Sequence, residues 1–221
     1  MNIADVITAI SVAIAALAFV SGINAWRREF VGKRRIELAE NILALFYEAE
    51  DAIREIRNPF SNVGEGSTRK RADYESEEEA KILDNAYIVF ERYQKREKLF
   101  AELRSMKYRF MATFGSSTGE AFDEIRMIIN EIFAAAHILG TYYWKRQGRV
   151  QMSEEEFQKH LEQMRKYEAV FWSHTISQDE IVPRVQRAVG KIEAIARKES
   201  MMKSSWSSKV EKDNHKSKNR A

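Results

Sequence analysis

The stretch ADVITAISVAIAALAFVSGINAWRREFVGKRR, Ala4 to Arg35, decides the fold. From Val6 to Trp26 it runs through 21 positions without a charge. As an α-helix rising about 1.5 Å per residue, that segment is roughly 31 Å long, close to the hydrocarbon thickness of a bilayer. A secretory signal starts with a basic region and ends at a small-x-small cleavage site. Here the only early charge is Asp5, and Ile23-Asn24-Ala25 puts Ile in the minus-three place. A buried helix of a soluble protein is usually shorter, and it is not followed at once by Arg27, Arg28, Lys33, Arg34 and Arg35. The expectation is one uncleaved transmembrane anchor over residues 1–26.

Those five basic residues against the single acid Glu29 give the flank a net +4, while only Asp5 and the amino terminus precede the span. The positive-inside rule then places the N-terminus outside and the remainder in the cytoplasm. Trp26 falls at the boundary, where an indole suits the headgroup region, and Arg27, Arg28, Lys33, Arg34 and Arg35 are positioned to meet anionic lipid. No second apolar run of similar length follows, so a single pass is expected. The absence of cysteine accords with a reducing compartment.

Within the span, Ala4, Thr8, Ser11, Ala15, Ala18, Gly22 and Ala25 recur at alternating steps of four and three. They form one helical stripe of small residues with a 3.5-residue period. In lipid, where apolar surface gains nothing from burial, small residues let helix backbones approach closely. The stripe reads as an oligomer seam for a second copy of this chain or for another membrane protein. Its alternative is the chance alignment that an Ala-rich helix produces.

Beyond the membrane the composition, 31% charged and 44% hydrophobic with two Pro and nine Gly, suits a helical body. The fold class expected is all-α: the transmembrane helix continues into an antiparallel cytoplasmic helical bundle over 27–199. The apolar spacing persists through Ile36, Ala39, Leu43, Phe46 and Ile53, and the helix should stop before Asn58-Pro59 because proline pushes its predecessor out of helical space. SNVGEGSTRKRADYES then reads as an exposed loop, about 58–76 with its flanks. Leu83, Tyr87, Phe90, Tyr93, Phe100, Leu103, Met106, Phe110 and Phe114 predict one long second helix, and Phe122 to Leu139 a third. Two shorter helices are expected over 153–172 and about 179–198. Four Ser-x-x-Glu pairs, at Ser76, Ser117, Ser153 and Ser177, mark capping boxes at helix starts.

The last segment, from residue 200 to 221, is rich in Lys and Ser and predicts a disordered basic tail. Residues 197–221 carry net +5; subtracting both basic segments and Asp5 from the chain's +3 leaves −5 over 36–196. A mildly acidic body therefore lies between two basic arms. The tail, with Trp206 among its lysines, fits anionic lipid better than nucleic acid, since it is tethered beside the bilayer.

Catalytic patterns are scarce. Without cysteine there is no thiol nucleophile, and Gly-x-Ser-x-Gly, His-Glu-x-x-His and a Walker loop are all missing. GEGSTRKR near Gly64 lacks the Gly-Lys-Ser/Thr and the preceding strand of a phosphate cradle. His137, His160, His174 and His215 stand at no ligand spacing from one another, so no metal and no cofactor is expected. His137, in FAAAHILG, reads as a hydrogen-bonded core residue. The Arg and His spacing of helical ribonucleases and the paired Glu-x-x-His of di-iron bundles do not occur. Glu154, Glu155 and Glu156 read as first-turn acids, and YYWKRQGR, Tyr142 to Arg149, as the cationic end of a helix.

FVGKRRIELAENILALFYEAEDAIREIRNPF, followed by VGEGSTR, AYIVFERYQKREKLF and LRSMKYRFMATFG, resembles a group of uncharacterised bacterial single-span membrane proteins over Phe30 to about Trp144. The resemblance implies a bacterial, membrane-anchored helical fold, and it carries no activity or site residues; with the basic flank, the membrane expected is the bacterial inner membrane. The function expected is a membrane-tethered interaction or scaffold protein. The alternatives are a tethered enzyme or toxic effector with an unrecognised site, and a lipid or nucleic-acid binder working through the tail.

Overall fold

The structure, a computed structural model, describes residues 2–173 and 179–218, with side chains described as far as Met201. Helix α1, Ile3–Ile56, runs unbroken for 54 residues and stops before Pro59. It is followed by α2 (Glu77–Lys95), α3 (Glu97–Phe114), α4 (Gly119–Ile138), a π-helical turn Leu139–Tyr143, the single turn α5 (Trp144–Arg146), α6 (Glu154–Phe171) and α7 (Ile181–Lys218). No strand occurs among the described residues.

Two compact units divide the chain: Met1–Asn41 with Ile195–Ala221, and Ile42–Ala194. In the first, Arg35 Nε and Nη2 donate to the two carboxylate oxygens of Glu199 at 3.0 and 2.8 Å. Ile36, Leu38, Ala39 and Ala196 are buried there.

In the second unit α4 packs against α2, α3 and α6. Phe46, Ile56, Val89, Phe110, Ile128, Ile132, Leu139, Phe171 and Ile192 are fully enclosed. Phe122 on α4 meets Phe46 edge-on at 5.0 Å and Phe110 at 5.6 Å, the offset geometry aromatic quadrupoles favour.

Several elements depart from the sequence expectation. The long second helix is broken at Arg96, whose amide turns back to the Tyr93 carbonyl and whose guanidinium reaches Glu55. No Gly or Pro marks the break; it lets Tyr93 stack on Phe100 and meet Phe133 edge-on, both at 5.0 Å. The buried line of α2 is not Leu83, Tyr87, Phe90 and Tyr93 but Ala80, Asp84, Ile88 and Arg92 with Ala86 and Val89. Two charged residues enter it because the preceding loop folds back on them. Arg92 donates to Glu65 and to the carbonyls of Glu55, Ile56, Asn58 and Phe60, ending α1 with one side chain. Arg69 bridges Glu75 and Asp84, and Arg71 also reaches Asp84. The loop is thus solvated on one side and pinned on the other. Gly66, at φ +87°, lies so close to α2 that a Cβ would sit 2.0 Å from the Asp84 carbonyl oxygen.

Capping follows the sequence at two starts. Ser153 and Glu156 form the full reciprocal box, and Ser76 accepts the Glu79 amide. Ser117 does not cap, because Ser116–Thr118 winds into a 3₁₀ turn ahead of Gly119. Ser177 lies outside the described residues. Asp179 Oδ1 instead accepts the amides of Ile181 and Val182, at 2.9 and 3.2 Å. Pro183 then falls in the first turn, where no helical amide bond is lost. The backbone of 200–218 continues α7 where composition predicted disorder; after Gly190 neither Gly nor Pro interrupts it.

Candidate functional site

The first candidate is the apolar part of α1. It is long and apolar enough to cross a membrane, and none of it is buried. Ala4, Thr8, Ser11, Ala15, Ala18 and Gly22 are exposed along the helix, and Ala25 is half-buried. The hydroxyls in this segment are satisfied internally: Thr8 Oγ1 donates to the Ala4 carbonyl, Ser11 Oγ to Ile7 and Ser21 Oγ to Ala18, each at 2.9 Å. Back-bonding of this kind lets Ser and Thr face hydrocarbon without an orphaned donor.

At the end of the apolar segment three side chains one turn apart form a column. Trp26 stacks on Phe30 with centroids 5.7 Å apart, and the Arg34 guanidinium lies 4.8 Å from the Phe30 centroid. An aromatic pair capped by a cation suits an interface that is apolar on one side and anionic on the other. Phe30 was not singled out by sequence; its place one turn from both Trp26 and Arg34 was the available signal. Of the basic flank, Arg27, Arg28, Lys33 and Arg34 are exposed, whereas Arg35 is held by Glu199.

The second candidate is a polar cleft of about 330 Å³ where the π-turn and α5 meet α6. The turn begins where Gly140 approaches α2 so closely that a Cβ would meet the Ala86 Cβ at 2.6 Å. A π-helical turn adds a residue to the helical repeat and re-aims the side chains after it. Here Tyr143 faces the His160 ring at 5.1 Å and Tyr167 at 5.5 Å. Burial, with Tyr167 and Tyr142 alongside, pushes the Tyr143 hydroxyl above its ordinary pKa, so it stays neutral. Hydrogen bonds from the Ser153 amide and hydroxyl hold the Glu156 carboxyl below its usual range.

Two residues that line this cleft each carry a fully buried polar atom with no hydrogen-bond partner, Arg146 Nε and His160 Nε2. Each such group left unpaired costs about 1–3 kcal/mol. Buried orphans are uncommon enough in native proteins to ask for an explanation. By contrast, the larger hollow of about 410 Å³ between α3 and α4 is walled by Phe100, Leu103, Phe122 and Phe133. On its rim Lys107 pairs with Asp123 at 2.7 Å and Arg104 donates to the Tyr93 hydroxyl at 3.0 Å.

His137 is a correction to the sequence expectation. It is exposed rather than buried, and among the described residues the buried imidazole is that of His160. His174 lies outside the described residues, as do the side chains of Trp206 and His215. Among the described residues no three His, Asp or Glu stand together where they could hold a metal ion. Compared with protein-family models, curated proteins and solved structures, the chain finds no match.

Proposed function

We propose that this chain is a membrane-anchored helical scaffold of a bacterial inner membrane, N-terminus outside and an antiparallel helical bundle in the cytoplasm. It associates with a second copy or with another membrane protein along Ala4, Thr8, Ser11, Ala15, Ala18, Gly22 and Ala25. One observation carries this: the first part of α1 is apolar on every side and no described residue covers it, so its natural cover is lipid. The Trp26, Phe30 and Arg34 column supports a membrane boundary there, and the basic flank supports the orientation. The work is mechanical: confinement to the membrane plane raises the encounter rate of the bundle with whatever the same membrane holds.

The cysteine-free chain makes a direct test available. Asn2→Cys and Val63→Cys both place a thiol at an exposed position. A membrane-impermeant maleimide on intact cells should label the first, and the second only after the inner membrane is opened. The reverse pattern overturns the orientation, and recovery of the protein in the soluble fraction overturns the anchor. For the seam, a Cβ at Gly22 meets nothing within 4 Å, so Gly22→Leu leaves the chain's own packing alone. Combined with Ala15→Leu and Ala18→Leu it should lower the yield of crosslinked dimer in membranes; an unchanged yield removes the seam.

A further inference from the structure

We propose that Phe60, on the loop after α1, enters the aromatic hollow between α3 and α4 of a second copy, joining the helical bundles head to tail. This deepens the reading above of a self-associating scaffold and rests on it. Asn58 to Gly64, NPFSNVG, carries no charge in a chain that is 31% charged, and every residue of it is exposed. Phe60 is 82% exposed and Val63 fully so. Exposed loops are ordinarily mobile. This one is held from beneath: Arg92, 6% exposed, donates to the Asn58 and Phe60 carbonyls at 2.6 and 2.8 Å. Arg92 also binds Glu65, which accepts the Asn62 amide at 3.2 Å. An apolar knob fixed in this way loses little conformational freedom on docking.

The hollow is the complementary surface. A space of about 150 Å³ is enough for a benzene ring. The hollow's 410 Å³ therefore takes the Phe60 ring with chain on either side of it. Tyr93 and Phe133 line it with half-buried rings, and Phe100 and Phe122 form its floor. Its rim sets the three cations Arg104, Lys107 and Arg126 against the one acid Asp123, and both arginines are exposed. The knob brings acceptors to those donors, since among the described residues nothing donates to the carbonyls of Pro59, Ser61 and Val63. A chain does not reach its own hollow with Phe60. Arg92, beneath the loop, and Tyr93, in the wall of the hollow, are consecutive on α2 and so point about 100° apart. Being consecutive, they also set knob and hollow at one level along α2. Copies anchored in one membrane stand at one height, so the two features meet side by side. The patches are unlike, so each copy keeps a knob or a hollow for the next, and the bundles form rows or rings.

Two differently tagged full-length chains, one with Val63→Cys and one with Asn130→Cys, test this when co-expressed and treated in isolated membranes with a short bismaleimide. Both positions are exposed, Asn130 lies on the rim of the hollow, and the chain has no cysteine of its own. The mixed dimer should form, and neither chain alone should give one. Phe60→Ser should lower its yield about tenfold, the effect of losing one buried aromatic anchor, whereas Phe60→Leu should retain most of it. Phe60 is exposed in the single copy, so the melting temperature of the Phe60→Ser chain should be unchanged. Each mixture is repeated with Ala15→Leu, Ala18→Leu and Gly22→Leu in both chains. A mixed dimer that survives those three substitutions and is lost with Phe60→Ser establishes the bundle contact even if the seam fails. A mixed dimer lost with the three and indifferent to Phe60→Ser keeps the seam and overturns this contact. Absence of the mixed dimer overturns it too, as does equal crosslinking of Val63→Cys chains with one another, since loop then meets loop.

Discussion

Between Ile3 and Val31 helix α1 buries no side chain, whereas from Ile36 to Ile56 it buries Ile36, Leu38, Ala39, Ile42, Phe46, Ala49, Ala52, Ile53 and Ile56. Both parts are rich in apolar residues. They differ in what lies between those residues: from Val6 to Trp26 the first part carries no charge on any side, while the second interposes Glu37, Glu40, Glu48, Asp51 and Arg54 on its other face. A one-sided apolar stripe is covered by packing against protein, but a helix apolar on every side needs a surrounding apolar medium. The second part also has a polar ending built by tertiary contacts. Arg92 takes up the last carbonyls of α1, and Arg57, just beyond the helix, does the same for α6. Arg57 donates to the carbonyls of Ala169, Val170 and Trp172 and to Asp179, and is 1% exposed.

The largest effect expected on the protein-covered side is from Arg57→Met, which takes the guanidinium away from Asp179 and from three carbonyls. Breaking a buried pair of this kind costs about 3–5 kcal/mol, read as a lowered urea midpoint of the full chain in detergent. On the uncovered side, Val12→Arg should leave that urea midpoint in place. It should instead cost about 2.5–3.5 kcal/mol of membrane insertion, measured as the fraction of chain resisting alkaline extraction. If Val12→Arg lowers the midpoint as Arg57→Met does, the two parts of α1 are not the different environments described.

Gly66→Ala sharpens the comparison at the loop. Positive φ and the approach to Asp84 together should cost about 1–3 kcal/mol, seen as a lower melting temperature. Acid should produce the smallest and most graded loss. The hydrogen bond from Arg92 holds Glu65 below the usual carboxylate range, and that from Arg69 holds Glu75 down at about 2. Burial pushes Asp179 up, but Arg57 and the α7 amides outweigh it and keep the carboxyl low. Each group has a lower pKa folded than unfolded, so each binds fewer protons in the folded state. Their stabilisation is complete above about pH 4 to 5 and fades as pH falls through the folded values. Urea midpoints measured down that range should drop progressively; a flat profile would remove these three carboxylates from the stability of the fold.

The sequence by itself determined the helical class, the uncharged segment, the end of α1 before Pro59, and the Ser153 box, because each depends on residues within a turn or two of one another. The stripe of small residues and the basic flank were legible for the same reason. Tertiary structure alone decided the break at Arg96, the rotation of α2 onto Asp84 and Arg92, and the pinning of the loop, since their partners lie tens of residues away in the chain. It also decided that His160, not His137, is the buried imidazole, and that Arg146 faces a cleft. Local periodicity says that a helix has two faces, but which face is covered, and which charge is left without a partner, depends on the helices that pack against it.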